Sequence, residues 1–171
     1  MSARKNRAKK YRPDQKRKVS NTMRVAMNHV AILTPEEREV IMAPWPEAVV
    51  ALRHGFGCKD NWDLLTEAGN VALELSYLGI CSDAPSVGIL LSGVKALGRI
   101  AVRVNEGAGY AAGDGELSLI HEMVDRHEIQ LMFATTKDLT MAIRSYEFSK
   151  QRARQGLIPS LSIKEAAEVL A

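Results

Sequence analysis

The stretch "HEMVDRHE", residues 121–128, contains the side chains best suited to chemistry. His121 and Asp125 are four residues apart and therefore share one face of a helix, where an imidazole and a carboxylate could bind a first-row metal ion. His127, six residues after His121, lies about 240° around the helix at about 100° per residue and is therefore off this face. Further ligands would have to come from other helices, from residues such as His54, Glu67 or Glu74. Because the pattern is also not H-E-x-x-H, we interpret it as hydrogen-bonding residues and predict no metal and no cofactor.

Other patterns typical of enzymes are missing from the sequence. Cys58 and Cys81 are 23 residues apart with no Cys-x-x-Cys motif, which favours reduced cysteines that mostly serve packing. Four glycines fall within residues 107–115, but neither phosphate-loop spacing fits them, so this segment is predicted to be an interhelical loop. No serine or cysteine has the flanking residues of a nucleophile. We therefore expect a protein without enzymatic activity.

The strongest charge pattern lies at the start of the chain, in a leader that ends with "KKYRPDQKRKVS". Between Arg4 and Lys18 there are nine bases and one acid, whereas the rest of the chain has 14 bases and 19 acids. A basic arm on an acidic body can reach phosphates that the body repels. Tyr11 could add a stacking contact to single-stranded nucleic acid. The predicted phosphate-binding residues are Arg4, Lys5, Arg7, Lys9, Lys10, Arg12, Lys16, Arg17 and Lys18. A solvated tail, or one that folds back on its own body, remains the alternative.

The hydrophobic pattern has a helical period nearly everywhere, and no stretch alternates long enough to predict a strand. Residues 1–20 hold almost no apolar side chains and are predicted to form a disordered basic arm. We therefore predict an all-α fold: a single bundle of about five to seven helices over residues 21–156, followed by a C-terminal capping helix over residues 157–171. The predicted helices cover about residues 21–33, 35–43, 46–54, 60–78, 83–105, 115–134 and 136–155.

Local signals fix several of these helix ends. Thr34 and Glu37 form a capping box with Pro35 at the first helical position. Trp45 lies between two prolines and is predicted to anchor a turn on the core, with ligand stacking as the alternative.

One face of the fifth helix is predicted to be buried. It consists of Val87, Leu90, Leu91, Val94, Leu97, Ala101 and Val104. Ser92, Gly93 and Gly98 on that helix should leave room for a neighbouring backbone.

In the last two helices of the predicted bundle, apolar spacing again predicts the buried side. Leu117, Ile120, Met123, Val124 and Leu131 are expected to face the core from the first of them. The second is expected to use Leu139, Ala142 or Ile143, Tyr146, and Phe148 or Ser149. Its end carries Lys150, Arg152 and Arg154, where a helix C-terminus favours positive charge, and these bases could extend the basic surface of the arm.

The C-terminal segment "LSIKEAAEVLA" contains a second capping box, Ser162 with Glu165. It resembles the opening helix of the excisionase or MerR-like helix-turn-helix family over about ten residues. That family continues into a recognition helix that enters the major groove, which this sequence lacks. An amphipathic helix that closes the bundle is therefore the interpretation we favour.

A wider resemblance is carried by "KKYRP", "ALRHGFGCKDNWDLLTEAGNVALEL" and "DLTMAIRSYEF". These segments resemble small helical proteins of proteobacterial prophages and temperate phages, in which a basic leader precedes a helical body. The resemblance implies an intracellular accessory role but brings no activity, cofactor or catalytic residue with it. The segment "SIKEAAEVLA" departs from the shorter pattern of that group.

Composition and hydropathy complete the prediction. With 46% hydrophobic and 25% charged residues, the sequence is typical of a soluble domain. The leader lacks the apolar region of a signal peptide, and Lys95, Arg99 and Arg103 interrupt the most apolar stretch, so no membrane partner is expected.

We predict a cytoplasmic protein of a bacterial host cell that binds nucleic acid non-specifically through its arm. The alternative is a protein-interaction or inhibitory module that acts through the helical body on a host or phage protein. Sequence alone leaves the oligomeric state open.

Overall fold

The computed structural model describes residues 31–156 and confirms an all-α fold for that range. Its six helices, numbered here in chain order, are α1 (Pro35–Met42), α2 (Trp45–Arg53), α3 (Lys59–Tyr77), α4 (Ala84–Asn105), α5 (Asp114–Phe133) and α6 (Thr136–Arg154). Extended pairing in this range is limited to two isolated bridges, Ile32 with Thr135 and Gly57 with Tyr110. The predicted basic arm, the predicted helix over residues 21–33 apart from its last three residues, and the C-terminal helix lie outside the described residues. The prediction is wrong for residues 31–33, which are not helical: Ile32 pairs with Thr135, and the Leu33 N–H donates to the Ala134 carbonyl at 3.1 Å. None of the six helices has the length and hydropathy that a transmembrane segment needs.

The helix ends follow the local chemistry of the sequence. Thr34 Oγ1 accepts a hydrogen bond from the Glu37 backbone N–H at 3.2 Å, and the Glu37 carboxylate accepts one from the Thr34 N–H at 2.8 Å. The predicted capping box is therefore confirmed, and it satisfies two backbone donors that the first turn of a helix leaves unpaired. Asp83 caps α4 and Thr135 caps α6. Gly79 ends α3 with φ +93°, a left-handed conformation that glycine adopts without strain.

The core lies between α3, α4 and α5, and α2 covers one side of it. Its largest fully buried apolar side chains are Leu52, Leu65, Leu75, Leu90, Leu97, Ile100, Ile120, Met123 and Leu131. The predicted buried face of α4 is confirmed at Leu90 and Leu97 but is wrong at Leu91, which is 39% exposed. Leu91 lies beside the face rather than on it, because Ser86, Leu90, Gly93, Leu97 and Ile100 define the side of α4 that meets its neighbours.

Two glycines allow α3, α4 and α5 to approach one another closely. A Cβ atom on Gly69 would lie 2.6 Å from Met123 Sδ, and one on Gly93 would lie 2.8 Å from the same sulfur. The Met123 side chain therefore fills space that any larger residue at either position would occupy. The predicted close approach is confirmed at Gly93. It is wrong at Gly98, which is exposed and has no atom within 4 Å of the corresponding Cβ position.

The glycine-rich segment forms an interhelical loop over residues 107–113, as predicted, whereas Asp114 and Gly115 already belong to the first turn of α5. Side chains of α4 and α5 hold the end of the loop. Both terminal nitrogens of Arg103 donate to the Glu116 carboxylate at 2.7 Å, and Nη2 also donates to the Ala111 carbonyl at 2.9 Å. The Ala112 N–H donates to the Leu52 carbonyl at 3.0 Å. The Arg103 guanidinium lowers the pKa of the Glu116 carboxyl. Arg103 and Glu116 therefore join α4 to α5 through a bidentate ion pair, which a lysine at position 103 could not form.

Both cysteines are free, as predicted, but the predicted packing role is wrong for Cys58. Cys58 is exposed at the start of α3, where its backbone N–H donates to Asn61 Oδ1 at 3.1 Å. Its place before the first turn of a helix, rather than in the middle of an apolar face, accounts for the exposure.

Candidate nucleic-acid interface

Positive charge in the described part of the chain is concentrated on α6. Residues 31–135 contain 7 bases and 15 acids, whereas α6 contains 5 bases and 2 acids. The last described helix is thus basic on an otherwise acidic body. All ten predicted nucleic-acid-binding residues, from Arg4 to Lys18, lie outside the described residues, so α6 is the part of the predicted basic surface whose geometry can be described.

One side of α6 packs against α3. Ala142 is its single buried residue, and Leu139, Tyr146 and Ser149 are partly buried on the same side. The prediction left Ala142 or Ile143, and Phe148 or Ser149, as alternatives for the buried side. The structure buries Ala142 fully and Ser149 partly, while Ile143 is 39% and Phe148 61% exposed. Ile143 and Phe148 are turned away because each lies about 100° around the helix from its buried neighbour.

The opposite side of α6 carries bases and apolar side chains at alternating positions. We call this surface the α6 basic face; it consists of Lys137, Met141, Arg144, Phe148 and Arg152, all exposed. Their spacing of four, three, four and four residues places them in one row along the helix. The row presents cations beside an exposed aromatic ring, the two kinds of group that bind phosphates and stack on bases.

Contacts within α6 leave most of these cations available. The Arg152 guanidinium lies over the Phe148 ring, 5.7 Å from its centroid. Lys150 differs, because its Nζ lies 3.5 Å from a Glu147 carboxylate oxygen and 5.2 Å from the Tyr146 ring centroid. Within residues 31–156, Arg144, Arg152 and Arg154 form no salt bridge. A shallow surface depression is lined by Arg144, Glu147, Phe148, Lys150, Gln151 and Arg154.

The metal-binding alternative does not assemble in the described part of the chain. His121 and Asp125 are exposed on α5, and no group of three or more potential ligands occurs in residues 31–156. His54 is exposed and stacks on Phe56, with ring centroids 5.8 Å apart. His54 and the pair His121 and Asp125 therefore lie in separate surroundings.

His127, which the sequence placed off the His121 face, is buried. It is 3% exposed, and its ring stacks on Trp45 with centroids 5.0 Å apart. Its Nδ1 lies 3.2 Å from Gln130 Oε1, while Gln130 Nε2 donates to the Ala72 and Ile80 carbonyls and to Ser76 Oγ. Burial lowers the pKa of His127 to about 4, so the imidazole is neutral at physiological pH.

The sequence did contain a signal for this burial. Residues 120, 123, 127, 130 and 134 continue the three- and four-residue spacing of the buried side of α5. His127 and Gln130 were missed because they are polar, and a buried polar side chain can be predicted only when its partners are known. The partners of Gln130 are on α3 and in the turn after it, 50 to 58 residues away in sequence.

No protein-family model, curated protein or solved structure matches this chain. A function must therefore be inferred from its own charges, packing and exposed side chains.

Proposed function

We propose that this protein is a non-enzymatic accessory protein of a phage or prophage that binds nucleic acid non-specifically in the cytoplasm of the host cell. The basic arm supplies most of the phosphate contacts, and the α6 basic face supplies a second set. The observation that carries this proposal is the segregation of charge. Bases dominate in the arm and on α6, and acids dominate in residues 31–135 between them.

Charge segregation gives the binding an orientation. Phosphates are repelled by the acidic part of the body and attracted to the arm and the α6 basic face, so a strand would lie along α6. Phe148, 61% exposed between Arg144 and Arg152, is positioned to stack on an unpaired base. Because neither set of groups offers a fixed pattern of donors and acceptors to base edges, sequence specificity is not expected.

Neutralising the α6 basic face should weaken binding in a measurable way. In the triple variant K137Q/R144Q/R152Q, the slope of log affinity against log salt should become shallower by about 2 to 3, because each phosphate contact contributes about 0.7 to 0.9. The measurement is a fluorescence-anisotropy titration of a labelled oligonucleotide by the full chain at several salt concentrations.

A matched control variant distinguishes the loss of phosphate contacts on α6 from the effect of a lower net charge on binding. The control R38Q/R53Q/R126Q removes the same charge from α1, α2 and α5 and should leave the slope unchanged. Equal slopes for the two triple variants would mean that α6 makes no phosphate contacts of its own.

Protein interaction through the helical body is the second candidate function. Ile129, Met132 and Phe133 are 38%, 49% and 61% exposed, and their spacing places them on one side of the last turns of α5. Such a cluster is typical of a surface that meets another protein. At the turn formed by Pro44, Trp45 and Pro46, the Trp45 ring is 4% exposed and is therefore not available to a partner.

A further inference from the structure

A small cavity of about 180 Å³ lies between α1, α2, α3, α5 and α6. Its walls are mainly apolar, with contributions from Ile41, Leu64 and Leu139, and the stacked rings of Trp45 and His127 also border it. A carboxylate-bearing residue, Glu67, is exposed and contributes to the lining. The nucleic-acid interface proposed above does not use this cavity.

The hydrogen bonds of His127 fix which of its nitrogens carries the proton. Gln130 Nε2 is the donor toward Ala72, Ser76 and Ile80, so Gln130 Oε1 is the acceptor that faces His127. The His127 Nδ1 must therefore carry a hydrogen and donate it, which leaves Nε2 unprotonated with a free lone pair.

The Nε2 atom has no hydrogen-bond partner among the described residues. Within residues 31–156, every fully buried side-chain nitrogen or oxygen except Thr66 Oγ1 has a hydrogen-bond partner. Because Nε2 has none, it is not fully buried and keeps a small exposed area. The two nitrogens lie on different edges of the ring, and the Nδ1 edge faces Gln130. The other edge of this 3% exposed side chain therefore points to the cavity that the residue lines.

We propose that this cavity binds one small neutral aromatic molecule with a hydroxyl group, whose O–H donates to His127 Nε2. The apolar walls favour a ring, and the polar groups available, an imidazole lone pair and a carboxylate, both accept hydrogen bonds. A ligand with an O–H group can donate a hydrogen bond to the Nε2 lone pair. A ligand with acceptors alone would instead bring its own lone pair against that of Nε2, which is unfavourable. The volume suits a single ring, since cavities of about 150 Å³ bind benzene.

Phenol is the probe for this site, and toluene and pyridine are its controls. Toluene matches phenol in shape without the donor, and pyridine offers an acceptor alone. The full chain has two tryptophans, so the indole N–H region of an ¹H–¹⁵N spectrum contains two resonances, which W62F assigns. We expect phenol to shift the Trp45 resonance saturably and to leave that of Trp62 in place, toluene to bind, and pyridine to bind more weakly than toluene.

Two variants test the assignment of the residues. His127→Phe keeps a ring against Trp45 but removes the acceptor, so the ratio of phenol affinity to toluene affinity should fall by about five- to tenfold. Retained toluene binding would show that this variant is folded. Ala68→Leu fills the cavity from α3 and should abolish binding of both compounds.

Three outcomes would overturn the proposal. The first is no saturable shift of Trp45 with either phenol or toluene at millimolar concentration, as would follow if another part of the chain filled the cavity. The second is an unchanged phenol-to-toluene ratio in His127→Phe, and the third is equal movement of both indole resonances.

Discussion

Acidification from pH 7 to pH 4.5 is expected to lower the free energy of unfolding by about 2 kcal/mol through His127 alone. The imidazole has a pKa of about 4 in the folded protein because burial disfavours its charged form, against 6.5 for an ordinary histidine. Between these two values the unfolded chain binds a proton that the folded chain does not. Stability is therefore lost as the pH falls below 6.5, and the loss is complete, at about 3 kcal/mol, only below pH 4.

Urea unfolding at pH 7, 6, 5 and 4.5 measures this effect, and two variants isolate it. His127→Phe removes the buried titrating group and should flatten the pH dependence in this range. His121→Gln removes an exposed histidine from the same helix and should behave like the parent protein. The Asp83 and Glu116 carboxyls, whose pKa values are lowered by hydrogen bonds from Ser86 and Arg103, add a further loss toward more acidic pH in all three proteins. A slope that persists in His127→Phe would contradict a buried neutral imidazole.

Alanine substitutions at Gly93 and Gly98 are expected to change stability in opposite directions. A Cβ on Gly93 would lie 2.9 Å from Met123 Cγ and closer still to Met123 Cβ, which is held by the α5 backbone and cannot swing away. Overpacking of this kind costs about 1 to 3 kcal/mol, of which better helix propensity recovers up to about 1 kcal/mol. Gly98→Ala meets no atom within 4 Å and should stabilise the protein by about 0.5 to 1 kcal/mol.

Thermal and urea unfolding of the two variants measure this difference. The two substitutions are chemically identical and lie on one helix, so each serves as the control for the other. Equal destabilisation would mean that α4 tolerates no alanine at either position for reasons of backbone geometry. Equal stabilisation would contradict the close packing of α4 on Met123.

Helix ends could be predicted from sequence because their causes are local. Thr34 with Glu37, Asp83 before Ala84, and Thr135 before α6 each satisfy backbone groups within three residues of themselves. The overall all-α fold followed from hydrophobic spacing in the same way. These features need no knowledge of where a neighbouring helix lies.

Features that depend on neighbouring helices could not be predicted. Gly93 and Gly98 look alike in the sequence, and only the position of Met123 distinguishes them. The burial of His127 and Gln130 depends on acceptors from α3 and the turn after it. The α6 basic face was predicted only as a run of bases at a helix end, because its orientation depends on which side of α6 meets α3.

The fold and the proposed function are linked through α6. A helix with a single buried residue contributes little to the core, yet it carries a net charge opposite to that of the rest of the body. Packing on α3 fixes which side of α6 is free, and that side bears Arg144, Phe148 and Arg152. The architecture thus places a row of basic side chains on the surface without exposing the core.

Nucleic-acid binding is tested most directly by a salt series that compares the full chain with a chain lacking residues 1–18, on single-stranded DNA, double-stranded DNA and RNA. If about five arm cations contact phosphates of double-stranded DNA, they contribute about −4 to −5 to the slope of log affinity against log salt. We predict that the deletion loses this contribution and keeps only the shallow slope of the α6 basic face. No binding by the full chain at low salt, or equal slopes for the two chains, would contradict a phosphate-binding arm and favour a protein partner for the helical body.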